Sequence, residues 1–173
     1  MKLAIMLVLI LLGLSEHATA QGIEIASGYS FLAELDEEKF PLAERSRHYN
    51  GWFVTGTVPL VGAARLAINV QGHYDRVSQS SSVSLHSGMA GINVTPFRRG
   101  VVSLFAEALA GAVRSGATYR QASDSQTHFA AQGVVGVAVF ATAHFGLCGA
   151  VSYRRVVPTS NDNVIASLGV AFR

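Results

Sequence analysis

The stretch that most constrains the fold is the last one, residues 164–173, in which apolar side chains recur at every second position. The apolar set is Val164, Ala166, Leu168, Val170 and Phe172, and a smaller, partly polar set stands between them. A period of two is typical of a β-strand with one apolar face. Because this strand ends the chain, we expect it to close a barrel by pairing with the first strand.

Composition separates this chain from most soluble domains. Of its 173 residues, 50% are hydrophobic and 14% are charged, which is an apolar composition for a soluble domain of this size. Beyond residue 20, however, no apolar run approaches the ~20 residues that a membrane-spanning helix requires. Such a chain is either deeply buried or a membrane β-barrel. The formal net charge of +2 is too small to argue for binding to nucleic acid.

The first 20 residues have the three parts of a secretory signal peptide. Lys2 supplies the positive charge, residues 3–14 the apolar segment, and Ala18-Thr19-Ala20 a small-x-small cleavage site. We therefore predict that residues 1–20 are removed and that residues 21–173 form one barrel domain. The alternative is an N-terminal membrane anchor, for which the apolar segment is short.

Eight alternating segments follow one another along the rest of the chain. We predict strands at residues 23–33, 48–58, 64–76, 84–95, 101–114, 127–140, 144–155 and 164–173. The clearest is 64–76, where Leu66, Ile68 and Val70 alternate with Arg65, Asn69 and Gln71. Polar segments at 34–47, 78–82, 115–126 and 158–163 are predicted as loops, and 59–62, 96–100 and 141–143 as short turns. The connections therefore alternate between long and short, as in up-and-down barrels of the outer membrane.

Aromatic residues gather near the predicted strand ends. If the first strand runs outward, one group falls near the outer rim and a second group near the periplasmic rim. The outer group is Tyr29, Phe31, Tyr49, Tyr74, Phe129 and Tyr153, and the periplasmic group is Phe97, Phe140, Phe145 and Phe172. Two aromatic girdles that flank an apolar band are expected of a membrane barrel, because aromatic rings favour the interface.

With these features the chain resembles the bacterial outer-membrane β-barrel family, of the small eight-stranded OmpA/OmpX-like type, over residues 22–173. The resemblance implies an all-β fold, an eight-stranded antiparallel up-and-down transmembrane β-barrel. It also implies a location in the bacterial cell outer membrane, export through the periplasm and contact with the insertion machinery during assembly. Family members usually end on an aromatic residue, whereas here Phe172 is penultimate and Arg173 is last.

Charged and amide side chains on the predicted strands are expected to face the lumen, because charges are costly in lipid. The interior of an eight-stranded barrel is just wide enough to be filled by side chains. We therefore predict a packed polar network, in which Glu107 pairs with Arg65 or Arg154 across the lumen. The predicted members of the network are Glu24, Arg65, Asn69, Gln71, Glu107, Gln132 and Arg154.

Catalytic, metal and cofactor sites find little support. His86 and Ser87 are adjacent, and neighbours on a strand point to opposite faces, so they cannot form a nucleophile–base pair. His73, His86 and His128 lie near the predicted outer rim without the spacing of a metal site. Cys148 is the only cysteine, so no internal disulfide forms, and it is predicted to be a small lumenal residue. We predict no enzyme activity, no cofactor and no metal.

The sequence leaves three functions open. The first is a non-catalytic outer-membrane protein with a structural or surface-interaction role, carried by extracellular loops and above all by residues 34–47. Its partners would be outer-membrane lipid and an extracellular protein or surface ligand. The second is a narrow ion or small-solute pore. The third is a soluble periplasmic ligand-binding barrel of lipocalin type, in which the apolar faces would point inward.

Overall fold

A computed structural model describes residues 22–34, 48–61, 64–78, 81–119, 122–158 and 161–173. The predicted signal peptide and all but the first residue of the long connection at 34–47 lie outside these residues. In the described part of the chain, no helix is long and apolar enough to span a membrane.

Eight antiparallel strands form one closed barrel in chain order, as the sequence predicts. The strands are β1 (Glu24–Glu34), β2 (His48–Val61), β3 (Ala64–Ser78), β4 (Ser81–Arg99), β5 (Val102–Tyr119), β6 (Ala122–Phe140), β7 (Phe145–Val157) and β8 (Asn161–Phe172). Each strand pairs with its neighbour in sequence, and the sheet closes where β1 pairs with β8, from Ile25 opposite Phe172 to Glu34 opposite Asn163. Closure leaves no unpaired strand edge, the condition for a sheet to lie in lipid.

The apolar faces of the strands point away from the barrel axis. On β8, Leu168 is 67% exposed and Phe172 48%, whereas Ile165 and Ala171 are fully buried. The same alternation holds on β3, where Ile68 is 53% exposed and Asn69 is buried. A barrel with apolar side chains outside and polar ones inside matches lipid rather than water on its outer surface. The soluble lipocalin-type alternative is wrong, because it requires the opposite orientation.

Several strands continue through segments predicted as loops. β4, β5 and β6 have 19, 18 and 19 residues. β4 begins at Ser81 within the predicted loop 78–82, β5 and β6 together include most of 115–126, and β8 begins at Asn161 within 158–163. The predicted turn at 96–100 is also mostly strand, with a bulge between Val94 and Phe97 and a turn at Gly100, whose φ is +59°. These segments contain few apolar residues, so their sequences show no period of two, yet the backbone ladder continues across them.

The predicted alternation of long and short connections is therefore only partly correct. Residues 35–47 do separate β1 from β2, but only residues 79–80 separate β3 from β4 and only 120–121 separate β5 from β6. The polar sequence on this side of the barrel is used largely for longer hairpins rather than for loops.

Two members of the predicted aromatic girdles face the interior instead. Tyr49 is 1% exposed and Phe140 is 2% exposed, because β2 turns its odd-numbered residues inward and β6 its even-numbered ones. The outward aromatic residue of β2 is Trp52. The other predicted girdle residues are 39–58% exposed and lie on the outer surface: Tyr29, Phe31, Tyr74, Phe97, Phe129, Phe145, Tyr153 and Phe172.

The closing seam between β1 and β8 depends on two glycines. Gly28 and Gly169 lie directly opposite each other. A Cβ atom on Gly28 would collide with the backbone of Leu168, and one on Gly169 with the backbone of Ser27. The two strands therefore approach more closely here than side chains on these residues would permit.

Deleting residues 164–173 should abolish the barrel, because the backbone groups of both β1 and β7 would then lose their partners in lipid. The measurement is the difference in gel mobility between unheated and boiled samples, together with protease resistance in membranes. Phe172→Ala should impair assembly in cells, whereas Phe97→Ala, which removes a ring of similar exposure from an internal strand, is the matched control. A deletion variant that keeps both the mobility shift and the protection would contradict the role of β8 as the closing strand.

Candidate functional site: the barrel interior

The interior is divided along the barrel axis. We call the end that carries Gly22 and Arg173 the terminal end, and the end from which residues 35–47 depart the loop end. The inward-facing residues form an apolar group toward the loop end, a polar cluster around Arg154, and a cavity toward the terminal end.

The Arg154 side chain, on β7, is 1% exposed and binds neutral acceptors from three other strands. Its Nε donates to Gln132 Oε1 at 2.9 Å, and its Nη2 donates to Gln71 Oε1 and to Ser87 Oγ, the latter at 3.2 Å. Gln132 in turn donates to Ser152 Oγ at 3.1 Å. A buried guanidinium group requires such partners, because an unbonded charge away from water is very costly. The cluster therefore ties β3, β4, β6 and β7 together across the interior.

Toward the loop end the interior is filled. Leu32, Tyr49 and Ile165 are at most 1% exposed and pack together, and the Tyr49 hydroxyl group donates to Glu34 Oε1 at 3.2 Å. Ser30 Oγ and His73 Nε2 lie 3.0 Å apart, and both residues are fully buried. Side chains with almost no accessible surface leave no room beside them for a water-filled path.

Toward the terminal end the polar side chains are less tightly packed. Arg65 Nη1 lies 3.1 Å from Glu24 Oε2, and its Nη2 donates to the Gly22 carbonyl oxygen at 2.5 Å. Asn69 Nδ2 donates to Thr55 Oγ1 at 2.5 Å, and Asn93 Nδ2 donates to Glu107 Oε1 at 2.9 Å.

These side chains surround a cavity of about 350 Å³. Its polar lining includes Glu24, Asn69, Asn93 and Glu107, and Phe53, Phe105 and Val134 are among the apolar residues of its wall.

The predicted ion pair between Glu107 and an arginine does not form. Asn93 lies between Arg65 and Glu107 in the strand register, opposite Arg65 on one side and Glu107 on the other. Arg65 instead reaches across β2 to Glu24, and Arg154 is occupied by Gln71, Ser87 and Gln132. The prediction was wrong because strand alternation determines the face of a residue but not its neighbours.

The seven residues predicted for the lumen all face the interior, but in separate groups. Gln71, Gln132 and Arg154 meet in one cluster, Glu24 and Arg65 form a pair, and Asn69 and Glu107 bind other partners. Sequence reasoning missed the partners Ser30, Thr55, Asn93, Ser87 and Ser152. The sequence did contain a signal for these residues. Each stands between outward-facing neighbours, and this alternation places it on the inward face of its strand.

The structure brings together one serine and one histidine that the sequence did not suggest. Ser30 and His73 have the hydrogen bond of a nucleophile–base pair, but neither is accessible, and His73 Nδ1 has no hydrogen-bond partner in the described structure. Without an orienting group and without access for a substrate, this pair is a packing contact. His86 and Ser87 face outward and inward respectively, as predicted for strand neighbours.

The three histidines considered for metal binding are not gathered into one site. His73 is inside, His86 lies outside with its ring 5.3 Å from that of Tyr74, and His128 lies 3.3 Å from Gln126 Oε1. No group of three or more His, Cys, Asp or Glu side chains suited to a metal ion occurs among the described residues. Cys148 is a buried free thiol that packs with Phe53, Ala138 and Phe140.

No protein-family model matches the sequence, and no curated protein matches it. Among solved structures, the chain is similar to Neisserial surface protein A, with a TM-score of 0.72, 14% identity, and coverage of 87% of this chain and 96% of the other. It is also similar to Ail, the attachment invasion locus protein of Yersinia pestis, in a complex with the heparin analogue sucrose octasulfate, with a TM-score of 0.65, 14% identity, and coverage of 88% and 98%. A third is the outer membrane protein OprG from Pseudomonas aeruginosa, with a TM-score of 0.62, 10% identity, and coverage of 87% and 94%.

At these sequence identities, the similarity to the solved structures concerns the fold alone. It agrees with the apolar exterior and polar interior of this chain. The predicted resemblance to the small outer-membrane barrels is therefore confirmed for the fold. The protein therefore has the fold of the eight-stranded β-barrels of the bacterial outer membrane, with a surface suited to that membrane.

Proposed function

We propose that this protein is a non-catalytic outer-membrane barrel that acts at the cell surface through its loop end. Residues 1–20 serve as its signal peptide in this proposal, and it reaches the membrane through the periplasm and the insertion machinery. The observation that carries the proposal is the filled interior toward the loop end, where Leu32, Tyr49, His73, Arg154 and Ile165 are at most 1% exposed. With the lumen filled there, the parts of the molecule free to meet other molecules are its outer hairpins and loops.

The long hairpin of β5 and β6 supports this proposal. Its ladder continues to Tyr119 opposite Ala122, well beyond the alternating part of both strands. The side chains there are polar and exposed: Arg114 Nη2 donates to Ser125 Oγ at 3.1 Å, and Asp124 and Gln126 are also exposed. Polar side chains on both faces of a hairpin suit water rather than lipid, so this hairpin would extend above the membrane surface and present a contact surface.

The comparison with Ail also favours a surface role. That protein has the same fold and is seen in complex with a heparin analogue. By analogy, the loop end of this chain would bind an extracellular protein or surface ligand, with residues 34–47 as the main contact segment because they are its longest and most charged connection.

The lack of catalysis is supported by the burial of the Ser30–His73 pair, since a nucleophile without access to substrate cannot react. The pore alternative would require Arg154 to leave three strands at once, and it would leave a buried charge without partners.

The purified barrel should show no stable conductance steps in planar lipid bilayers, because the interior is closed toward the loop end. A variant with Tyr49→Ala and Ile165→Ala, which removes two of the filling side chains, serves as the comparison. Conductance steps in this variant would show that the assay can detect an opened lumen. Both proteins are first shown to be folded by the gel mobility shift. Steady single-channel conductance of the unmodified barrel would contradict the proposal and favour the pore.

Replacing residues 36–46 with a Gly/Ser segment should abolish adhesion of bacteria that display the protein to immobilised matrix proteins. The barrel itself should remain intact, because long surface connections contribute little to the ladder. The matched control is Arg98→Ser with Arg99→Ser, which removes charge at the terminal end. Two results would count against a surface-contact role. In the first, cells that display the unmodified protein adhere no better than cells without it. In the second, cells that display the replacement variant adhere as well as those with the unmodified protein.

A further inference from the structure

A polar cluster lies on the outer surface of the barrel toward the loop end. It consists of Arg114 on β5 and the residues directly opposite it on the two adjacent strands, His86 on β4 and Thr127 on β6. Arg114, Thr127 and His86 are exposed. Directly opposite residues of an antiparallel pair have Cβ atoms about 4.5–5.5 Å apart, so the three side chains form one group that faces away from the barrel axis.

The cluster lies at the level of the aromatic girdle. The ring of His86 lies 5.3 Å from that of Tyr74 in an edge-to-face contact. Phe129 is the next outward residue after Thr127 on β6, and the side chains of Tyr74 and Phe129 are about half exposed. Aromatic girdles mark the level of the lipid headgroups in a membrane barrel. The cluster is therefore placed beside headgroups rather than beside acyl chains.

Arg114 carries a positive charge that no described acidic side chain offsets. Its described hydrogen bond is the one from Nη2 to Ser125 Oγ at 3.1 Å, and a guanidinium group has five N–H donors. The nearby carboxylate of the hairpin, Asp124, lies on the other face of β6 from Thr127. Guanidinium groups bind phosphate through paired hydrogen bonds, and imidazole and hydroxyl groups can donate further ones. The cluster is therefore complementary to a phosphate group.

Below the cluster, the outward residues of the same three strands have no side chain larger than a methyl group. They are Gly88 and Ala90 on β4, Ala108, Ala110 and Ala112 on β5, and Ala131 and Gly133 on β6. A Cβ atom on Gly88 or Gly133 would meet nothing within 4 Å, so packing within the barrel does not require glycine at either position. From Ala112 to Ala108 this flat face extends about 14 Å along β5, and acyl chains can lie directly against it.

We propose that this part of the outer surface binds a phosphorylated lipid. The phosphate group is held by Arg114, His86 and Thr127, and the acyl chains lie along the flat face beneath them. The cluster selects a phosphate with unshielded negative charge over a zwitterionic headgroup. The flat face selects a lipid over a free phosphate ion, which would contact the cluster alone. The inference rests on the barrel lying in a membrane and does not depend on the proposed surface contacts.

The test uses the full chain in micelles of a neutral detergent, with native mass spectrometry to measure the number of bound lipids and their affinity. Dimyristoyl phosphatidic acid is the probe, and dimyristoyl phosphatidylcholine has the same chains but a choline group on its phosphate. Phosphatidic acid should bind at one site at least about tenfold more tightly, because hydrogen bonds between charged groups are the stronger ones. Equal affinities would mean unselective contact with lipid, and displacement by equimolar inorganic phosphate would mean a site for the free ion; either result overturns the proposal.

Arg114→Gln should weaken the binding of phosphatidic acid by about tenfold or more, because it removes the positive charge at an exposed position. The matched control is Arg155→Gln, which removes another exposed arginine toward the loop end and should leave the affinity unchanged. Arg155 lies two strands away from Arg114, and Asp162 is directly opposite it in the strand register. An equal loss in both variants would mean general attraction to a basic rim and would overturn the proposal.

Gly88→Leu tests the flat face separately from the charge. The added side chain would occupy the space directly below His86, where a Cβ atom meets no other part of the protein, so the barrel should remain folded by the gel mobility shift. Phosphatidic acid should then bind severalfold more weakly, because its chains can no longer lie against the sheet. An unchanged affinity in the folded Gly88→Leu or Arg114→Gln variant would contradict the proposed lipid site.

Discussion

The structure depends on one constraint, that backbone N–H and C=O groups in lipid must bond to one another. A sheet meets this requirement only when its first and last strands pair, and here β1 and β8 do so over their whole common length. Closure also assigns every strand residue to the outer surface or to the lumen, since successive side chains point to opposite faces.

Once the barrel is closed, the inward residues have to satisfy one another in a narrow space. Toward the loop end and the middle they do, through the packing of Leu32 and Ile165 and through the neutral acceptors around Arg154. Toward the terminal end they leave a cavity, and its lining includes the small residue Ala150 and the polar residue Asn69. The two ends of the barrel therefore differ: the interior is filled toward the loop end and open toward the terminal end.

Alternation in the sequence was enough to predict the eight strands, their antiparallel closure and the inward or outward face of most residues. It failed where alternation itself stops: the polar ends of β5 and β6 read as a loop although their backbones remain paired. The prediction for Tyr49 and Phe140 was wrong for another reason. Both were placed in the aromatic girdles because they lie near a strand end, without regard to the face of the strand they occupy.

The contacts inside the lumen could not be predicted, because they depend on the register of neighbouring strands. The pair of Ser30 and His73 is separated by 43 residues, and the bond between Asn93 and Glu107 crosses a hairpin. A shift of two residues in either pairing would preserve every face and change every partner.

Cross-linking in the membrane tests the closing seam most directly. Ser27 and Val170 lie opposite each other on β1 and β8, and directly opposed antiparallel residues have Cα atoms within the range of a disulfide. With Cys148 replaced by Ser, the pair Ser27→Cys and Val170→Cys should form a disulfide rapidly under mild oxidation. The offset pair Ser27→Cys and Leu168→Cys should form it much more slowly, since diagonal neighbours are ~7–8 Å apart. Equal rates for the two pairs, or no cross-link in a folded Ser27–Val170 variant, would contradict the closed barrel described for this chain.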